Sequence, residues 1–138
     1  MKIILILCLI SASLTAPPME GVLVVAPEPI KPYEAIWNAT CKVESNFDPY
    51  AIGDKNLKEY SYGIVQIRNT RLIDYYKHTG IKYTTKDMFD PIKSKEVFMY
   101  YARGDHENIA RTWNGGPRGM EKKSTLKYWY KIQKELNN

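Results

Sequence analysis

The chain has 138 residues with 20 Lys and Arg against 15 Asp and Glu, a formal charge of +5. It is long enough for one hydrophobic core and too short for two ordinary domains. The basic residues are scattered and form no stripe with interleaved aromatics, which argues against nucleic-acid binding. The mild positive charge suits an anionic surface such as a cell wall or a membrane. The 11 Tyr and 3 Trp suit sugars, because an aromatic ring can stack on a pyranose face.

The first 16 residues have the pattern of a secretory signal peptide. Lys2 precedes an unbroken apolar run at residues 3–10, and small residues follow up to Ala16. Cleavage after Ser13 fits better than cleavage after Ala16, since a proline would directly follow the second cut. The run is too short to span a bilayer. We therefore expect secretion across the inner membrane, to the periplasm or the exterior, and no stable membrane span.

Residues 17–32 are predicted to form a proline-rich linker. They contain five prolines, which bracket the apolar run at residues 22–25, and such a composition favours an extended segment. The folded domain is expected to occupy residues 33–138. With the leader removed, Cys41 would be the remaining cysteine, so no intramolecular disulfide is expected.

An amphipathic helix is predicted over residues 33–45, ended by Pro49. Trp37 and Cys41 precede Glu44 by seven and three positions, so the three side chains share one helix face. The carboxyl group would sit on a half-apolar face in the last turn, where the helix dipole disfavours negative charge. Both effects raise the pKa of a carboxyl group.

The rest of the chain predicts a short β element followed by further helices, giving an α+β, mainly helical domain. Alternating residues between 50 and 67 indicate a loop and a short extended or hairpin piece. Capping residues and glycines then delimit four helices. The first begins at Asn69 or Thr70 and ends before Gly80, and the second begins after Asp90 and runs to Gly104. The third begins after Asp105 and ends at Gly115 and Gly116, and the fourth begins at Ser124 or Thr125.

Five short motifs, in their order and spacing, resemble those of the lysozyme-like lytic transglycosylases of the soluble lytic transglycosylase type. The resemblance covers about residues 33–136. The chain departs from the family pattern where Trp113 replaces a Tyr, Val65 a Met, and Ser94 the Asn usual after Asp-Pro. The motifs are Glu44-Ser45, Gly63-Ile64-Val65-Gln66, Asp90-Pro91, Trp113-Asn114-Gly115-Gly116-Pro117 and Tyr128.

The resemblance implies a lysozyme-like fold, with the β element beside the active-site groove. It also implies an enzyme that cleaves the β-1,4 bond between N-acetylmuramic acid and N-acetylglucosamine in peptidoglycan, without a cofactor. Glu44 would protonate the glycosidic oxygen, the substrate's N-acetyl group would assist, and Glu44 would then remove the proton of the sugar's 6-hydroxyl. The product would be a 1,6-anhydro-muramoyl end, whereas attack by water would make the same protein a lysozyme.

Chemistry independently requires a desolvated acid for such a reaction, and a second carboxylate if the enzyme supplies a nucleophile or a base. Asp48, Asp54 and Glu59 are the loop candidates for that second carboxylate, and no family motif places them. Tyr128 is the best candidate for touching Glu44 or substrate. The candidate substrate-binding residues are Ser45, Tyr62, Gln66, Trp113, Asn114 and Tyr128. Three of them have an equally ordinary structural role: Ser45 could be a polar helix end, Tyr62 could belong to the core, and Asn114 could cap the backbone.

Two other function classes remain open. A non-catalytic glycan-binding or assembly protein would keep the groove, and a basic toxin would disrupt the wall by charge. By analogy with small members of the family, partners besides peptidoglycan strands would be an envelope-spanning secretion, pilus or phage assembly. No metal site is expected, because Cys41 fits a small buried side chain and the remaining soft ligands are His78 and His106.

Overall fold

The computed structural model describes residues 32–138, so the predicted signal peptide and nearly all of the predicted linker lie outside the described residues. The predicted α+β, mainly helical architecture is confirmed. The helices are α1 (Pro32–Ser45), α2 (Asn69–Thr79), α3 (Pro91–Tyr101), α4 (His106–Gly115) and α5 (Leu126–Leu136), and the strands are β1 (Ile52–Gly53), β2 (Ser61–Tyr62) and β3 (Ile67–Arg68). Short 3-10 turns occupy Thr85–Phe89, Gly119–Glu121 and Lys123–Thr125.

Three aromatic rings join the central helices. Phe98 of α3 is fully buried and contacts the edge of Trp37 of α1 at 5.4 Å and of Trp113 of α4 at 4.9 Å, both between ring centroids. Edge-to-face pairs of this kind add stability beyond the apolar area that they bury. The Trp113 indole N–H also donates to the Val65 carbonyl at 3.3 Å, so the same cluster holds the β element against the helices.

The β element is an antiparallel sheet in the order β1-β2-β3. Gly63, directly after β2, has φ +77°, and a Cβ there would lie 1.8 Å from the Met88 carbonyl oxygen. Only glycine fits this close approach. Ser94 of α3 donates to the same Met88 carbonyl at 2.8 Å. These contacts position the segment from Gly63 to Gln66 against α3.

The predicted N-caps of α3 and α4 are confirmed, as are the glycines that end α2 and α4, whereas the end of α3 and the side-chain capping of α2 and α5 differ from the prediction. Asp90 accepts from the Ile92 N–H and Asp105 from the Asn108 N–H, each at 2.8 Å, as expected of N-caps. Helix α3 nevertheless ends at Tyr101, before the predicted glycine.

The predicted caps of α2 and α5 do not act as caps through their own side chains. In α2 the Thr70 N–H is satisfied by Glu59 at 2.7 Å. Thr125 flanks α5 without a side-chain cap bond and turns its hydroxyl inward, where it donates to the Gly119 carbonyl at 2.8 Å. Tertiary contacts therefore replace local capping at both helices. Among the helices of residues 32–138, none is long and apolar enough to cross a bilayer.

Candidate active site

A groove of about 1110 Å³ runs between the β element and the helices. Helix α4 contributes one face to it, because Asn108, Thr112 and Gly116 are four residues apart and all line the groove. Glu44 from the end of α1 and Gln66 from the turn before β3 line it as well. The groove is open and polar enough to hold an extended polar chain.

Glu44 lies in the last turn of α1, half-buried, with its carboxyl group in the groove. Burial raises its pKa to about 7, because desolvation disfavours the charged form. A hydrogen bond from Tyr128 and the positive charge of Arg71 oppose the rise in this pKa, whereas the negative charge of Asp54 adds to it. The carboxyl group can therefore exist in both protonation states near neutral pH.

Tyr128 of α5 donates a hydrogen bond to Glu44 Oε1 at 2.7 Å. Burial and the Glu44 charge raise the pKa of this phenol well above its usual value. Tyr128 therefore stays protonated and acts as a donor. The bond restrains one carboxyl oxygen of Glu44 and leaves the other for a ligand in the groove.

Ser45 connects α1 to the β element. Its hydroxyl donates to the Ile64 carbonyl at 2.8 Å and lies 3.3 Å from the Cys41 carbonyl oxygen of the preceding turn. Its hydrogen bonds thus go to backbone and not to the Glu44 carboxyl group. Ser45 positions Glu44 through the chain that the two residues share.

Gln66 lines the groove with its side-chain amide already engaged. Its Oε1 accepts from Ser61 at 2.7 Å, and its Nε2 donates to the carbonyls of Gly63 at 2.9 Å and Ala51 at 3.3 Å. The residue has φ +57°, a conformation that costs energy for a side chain larger than glycine. Gln66 therefore holds the β element together at the edge of the groove.

The remaining predicted contacts divide between groove and core. Trp113 lines the groove although it is 93% buried, so only a small part of its surface reaches the open space. Asn114 is exposed and lines the groove beside it. Tyr62 packs edge-on against Phe89, with ring centroids 6.1 Å apart, and does not belong to the groove lining. The structure brings together every predicted site residue except Tyr62 and Ser45.

The three loop carboxylates have different partners. Asp54 lines the groove and pairs with Arg68 at 2.7 Å. Glu59 accepts from the backbone N–H and hydroxyl of Thr70, and Asp48 accepts from the Tyr50 N–H at 2.9 Å. Asp54 is therefore the loop carboxylate that shares the groove with Glu44.

Arg71 is a groove residue that the sequence motifs did not indicate. Its guanidinium lies 4.0 Å from the Trp113 ring centroid and donates to the Trp113 carbonyl at 2.9 Å. It lies on α2 with Thr70 and Asp74, which also line the groove. The polar face of this helix is the sequence feature that could have indicated Arg71 as a groove residue. In residues 32–138, no group of three His, Cys, Asp or Glu side chains is placed to hold a metal ion.

Comparison with protein families adds the deciding observation. The model described as Transglycosylase SLT domain matches residues 33–136, nearly all of the described chain. The chain belongs to this family. The resemblance seen in the motifs is thereby confirmed, and it extends over all five helices of the SLT domain.

Solved structures agree with this assignment. A chain of the crystal structure of Aeromonas hydrophila PliI in complex with Meretrix lusoria lysozyme is similar to the SLT domain, with a TM-score of 0.62 and 25% sequence identity. The alignment covers 73% of this chain and 88% of that chain. A comparison with curated protein sequences found no match. The predicted lysozyme-like fold is confirmed.

Proposed function

We propose that the protein is a lytic transglycosylase that cleaves the β-1,4 bond between N-acetylmuramic acid and N-acetylglucosamine in peptidoglycan. The observation that carries the proposal is the hydrogen bond from Tyr128 to Glu44, a residue that lines the groove. It restrains a half-buried acid with a pKa of about 7 where a glycan strand can reach it. Family membership supplies the substrate class.

Glu44 acts first as a general acid. Its proton goes to the glycosidic oxygen as the bond from that oxygen to C1 breaks, and the substrate's own N-acetyl oxygen attacks C1. The positive charge that develops on the sugar is then held within the substrate, so no enzymic nucleophile is needed. A pKa near the working pH favours this transfer, because enough acid is present and the proton still leaves readily.

Glu44 acts second as a general base. Its carboxylate takes the proton of the muramoyl 6-hydroxyl, the 6-oxygen bonds to C1, and the bond to the N-acetyl oxygen breaks. The product is a 1,6-anhydro-muramoyl end, and Glu44 regains its proton. Tyr128 assists by holding one carboxyl oxygen while the other accepts and donates the proton.

Other groove residues serve the substrate. Asn114 and the small exposed part of Trp113 are proposed to contact sugar, since both residues line the groove. Gln66 is proposed to shape the groove beside a hydroxyl or N-acetyl group, and Ser45 to support Glu44 through backbone. Tyr62 is the weakest of the predicted contacts, because its ring packs against Phe89.

A hydrolytic lysozyme is the second candidate, favoured by the presence of Asp54 in the same groove as Glu44. In that reaction Glu44 protonates the leaving oxygen, Asp54 takes a proton from water, and the water oxygen bonds to C1. Inverting enzymes use two carboxylates in this way. Asp54 accepts from Arg68 at 2.7 Å, which holds its carboxyl group at the groove.

Mass spectrometry of digested, purified peptidoglycan separates these candidates. A transglycosylase yields anhydro-muramoyl ends and a hydrolase yields reducing ends. Glu44→Gln should abolish either product, and Asp54→Asn should abolish reducing ends alone. If the wild-type protein yields neither product while binding peptidoglycan, the enzyme proposal is wrong and a binding or assembly protein replaces it.

The proposed substrate places the protein outside the cytoplasm, in the periplasm or the exterior. The signal peptide predicted at residues 1–16 and the linker predicted at residues 17–32 would deliver it there. An envelope-spanning secretion, pilus or phage assembly is the proposed setting. Detection of the mature N-terminus in periplasmic or culture fractions tests this localisation.

A further inference from the structure

The groove contains more positive charge than a neutral glycan requires. Four cationic residues line it, against the carboxyl groups of Glu44, Asp54 and Asp74. One cation, Arg68, is neutralised by Asp54 at 2.7 Å. The other three cations are Arg71, Arg103 and Lys122.

These three cations have carbonyl partners but no carboxylate partner. Arg103 donates from Nη1 to the carbonyls of Ala102 and Met99 at 2.8 and 3.0 Å, and Lys122 donates to the Gly115 carbonyl at 2.5 Å. Within residues 32–138, no carboxylate oxygen lies within 4.0 Å of any of the three cationic groups. No ion pair therefore neutralises any of the three, and Asp74 and Glu44 act on Arg71 only at longer range.

The carboxyl groups in the groove offset these charges only in part. Asp74 accepts from the Tyr101 hydroxyl at 2.8 Å, and burial raises the pKa of Glu44 to about 7, so Glu44 is only partly charged at neutral pH. The guanidinium carbon of Arg71 lies 4.0 Å from the Trp113 ring centroid, and a guanidinium held against an aromatic ring can bind a carboxylate through its N–H groups. An anionic ligand would neutralise the positive charge that remains in the groove.

We infer that the groove selects glycan strands bearing stem peptides with free carboxylates, which Arg71, Arg103 and Lys122 bind. The inference rests on the proposed function, since the stem peptide is attached to the lactyl group of the muramic acid that the groove would hold. N-Acetylglucosamine is neutral, and the lactyl carboxyl group of N-acetylmuramic acid loses its charge where it forms the amide bond to the stem peptide, so the sugar backbone of a peptide-bearing strand offers these cations no anionic partner. They do bind carboxylates, which the stem peptides supply beside the scissile bond.

The test is a binding measurement with the full chain carrying Glu44→Gln, which cannot cleave its ligand. The probes are two tetrasaccharides of alternating N-acetylglucosamine and N-acetylmuramic acid that bear the same peptide, with free carboxylates in one and amidated carboxylates in the other. We expect the free carboxylates to strengthen binding about tenfold. The difference should shrink at high salt, because the cations are solvent-accessible.

Groove variants then locate the effect. Adding Arg103→Gln and Lys122→Gln together should reduce the preference more than either change alone, and the preference that is left belongs to Arg71. Lys86→Gln is the matched control, since Lys86 is exposed and lies outside the groove lining, and it should keep the full preference. Both Arg103 and Lys122 are exposed. The comparison of the two probes does not depend on whether either variant folds, because it uses the protein with both cations intact.

Equal affinity for the two probes in the protein with an intact cationic groove would overturn the inference. Tighter binding of polyglycerol phosphate than of the carboxylate probe would also overturn it and assign the cations to a phosphate polymer. The proposed function fails separately. Peptide preference without any cleavage by the wild-type chain rejects the function alone, and cleavage without peptide preference rejects this inference alone.

Discussion

Tyr128 reaches across 84 positions of the chain to donate a hydrogen bond to Glu44 at 2.7 Å. The contact joins the last helix to the first at the edge of the groove. It stabilises the charged form of a carboxyl group whose burial favours the neutral form. The bond therefore tunes the acid as well as holding it.

Removing this hydrogen bond should shift the pH dependence of the reaction. Tyr128→Phe deletes a contact that lowers the pKa of Glu44, so that pKa rises above about 7. The first step needs protonated Glu44, so the alkaline limb of kcat/KM should move to higher pH. Activity at pH 6 should fall about tenfold because the carboxyl group is less well positioned. Tyr130→Phe, at an exposed residue of the same helix, should leave the limb in place, and an unmoved limb in Tyr128→Phe would contradict the proposed contact.

Glu44 should destabilise the fold at neutral pH. Its folded pKa of about 7 lies above the ordinary glutamate value of 4.5, so the folded state binds more protons between these values and its stability falls as pH rises through them. Glu44→Gln removes this titration and should raise the free energy of unfolding by roughly 2–3 kcal/mol at pH 8. The gain should vanish at pH 4, where both states are protonated. Urea unfolding at the two pH values measures it, and an equal effect at both would count against a buried, titrating acid.

Ser45→Ala should weaken the connection between α1 and the β element without changing the protonation of Glu44. The lost hydrogen bond to the Ile64 carbonyl should cost about 1 kcal/mol of stability and lower kcat. Because the hydroxyl does not touch the Glu44 carboxyl group, the pH limits of kcat/KM should stay where they are. Ser45→Thr should restore stability. A displaced pH limit in Ser45→Ala would mean that the hydroxyl contacts the acid directly.

Two glycines with similar backbone angles should differ in their tolerance of a methyl group. Gly63 has φ +77° and a Cβ there would lie 1.8 Å from the Met88 carbonyl oxygen, whereas Gly80 has φ +74° and open space. Gly63→Ala should therefore cost at least about 3 kcal/mol, from steric overlap added to strain. Gly80→Ala should cost only the strain, about 1 kcal/mol. Thermal unfolding of the two variants compares them, and equal losses would show that the close approach does not matter.

Local features of the sequence predicted much of the helical framework. Asp90 and Asp105 act as caps where expected, because a cap depends on a side chain and an N–H two or three residues away. Gly80 ends α2 in the left-handed conformation for an equally local reason. The 3-10 turn Thr85–Phe89, with its capping box between Thr84 and Asp87, was missed, although its signal was local too.

Contacts distant in sequence could not be predicted from spacing. Arg71 enters the groove because α2 packs beside Trp113, and no motif marks it. Glu59 and Asp54 looked alike in the sequence, yet one satisfies the start of α2 and the other lines the groove. Which role a loop acid takes depends on where the strands place it.

The sequence by itself determined the family, the order of the helices, and the placement of Glu44 on a helix face shared with Trp37 and Cys41. The family was indicated by the resemblance of five motifs, and the placement of Glu44 follows from residue spacing, since positions three, four and seven apart lie on one side of a helix. Only the tertiary structure decided that Glu44 is desolvated within a groove, hydrogen-bonded to Tyr128 and faced by Arg71. Desolvation and charge act through space, and residues far apart in the chain become neighbours only when the helices pack.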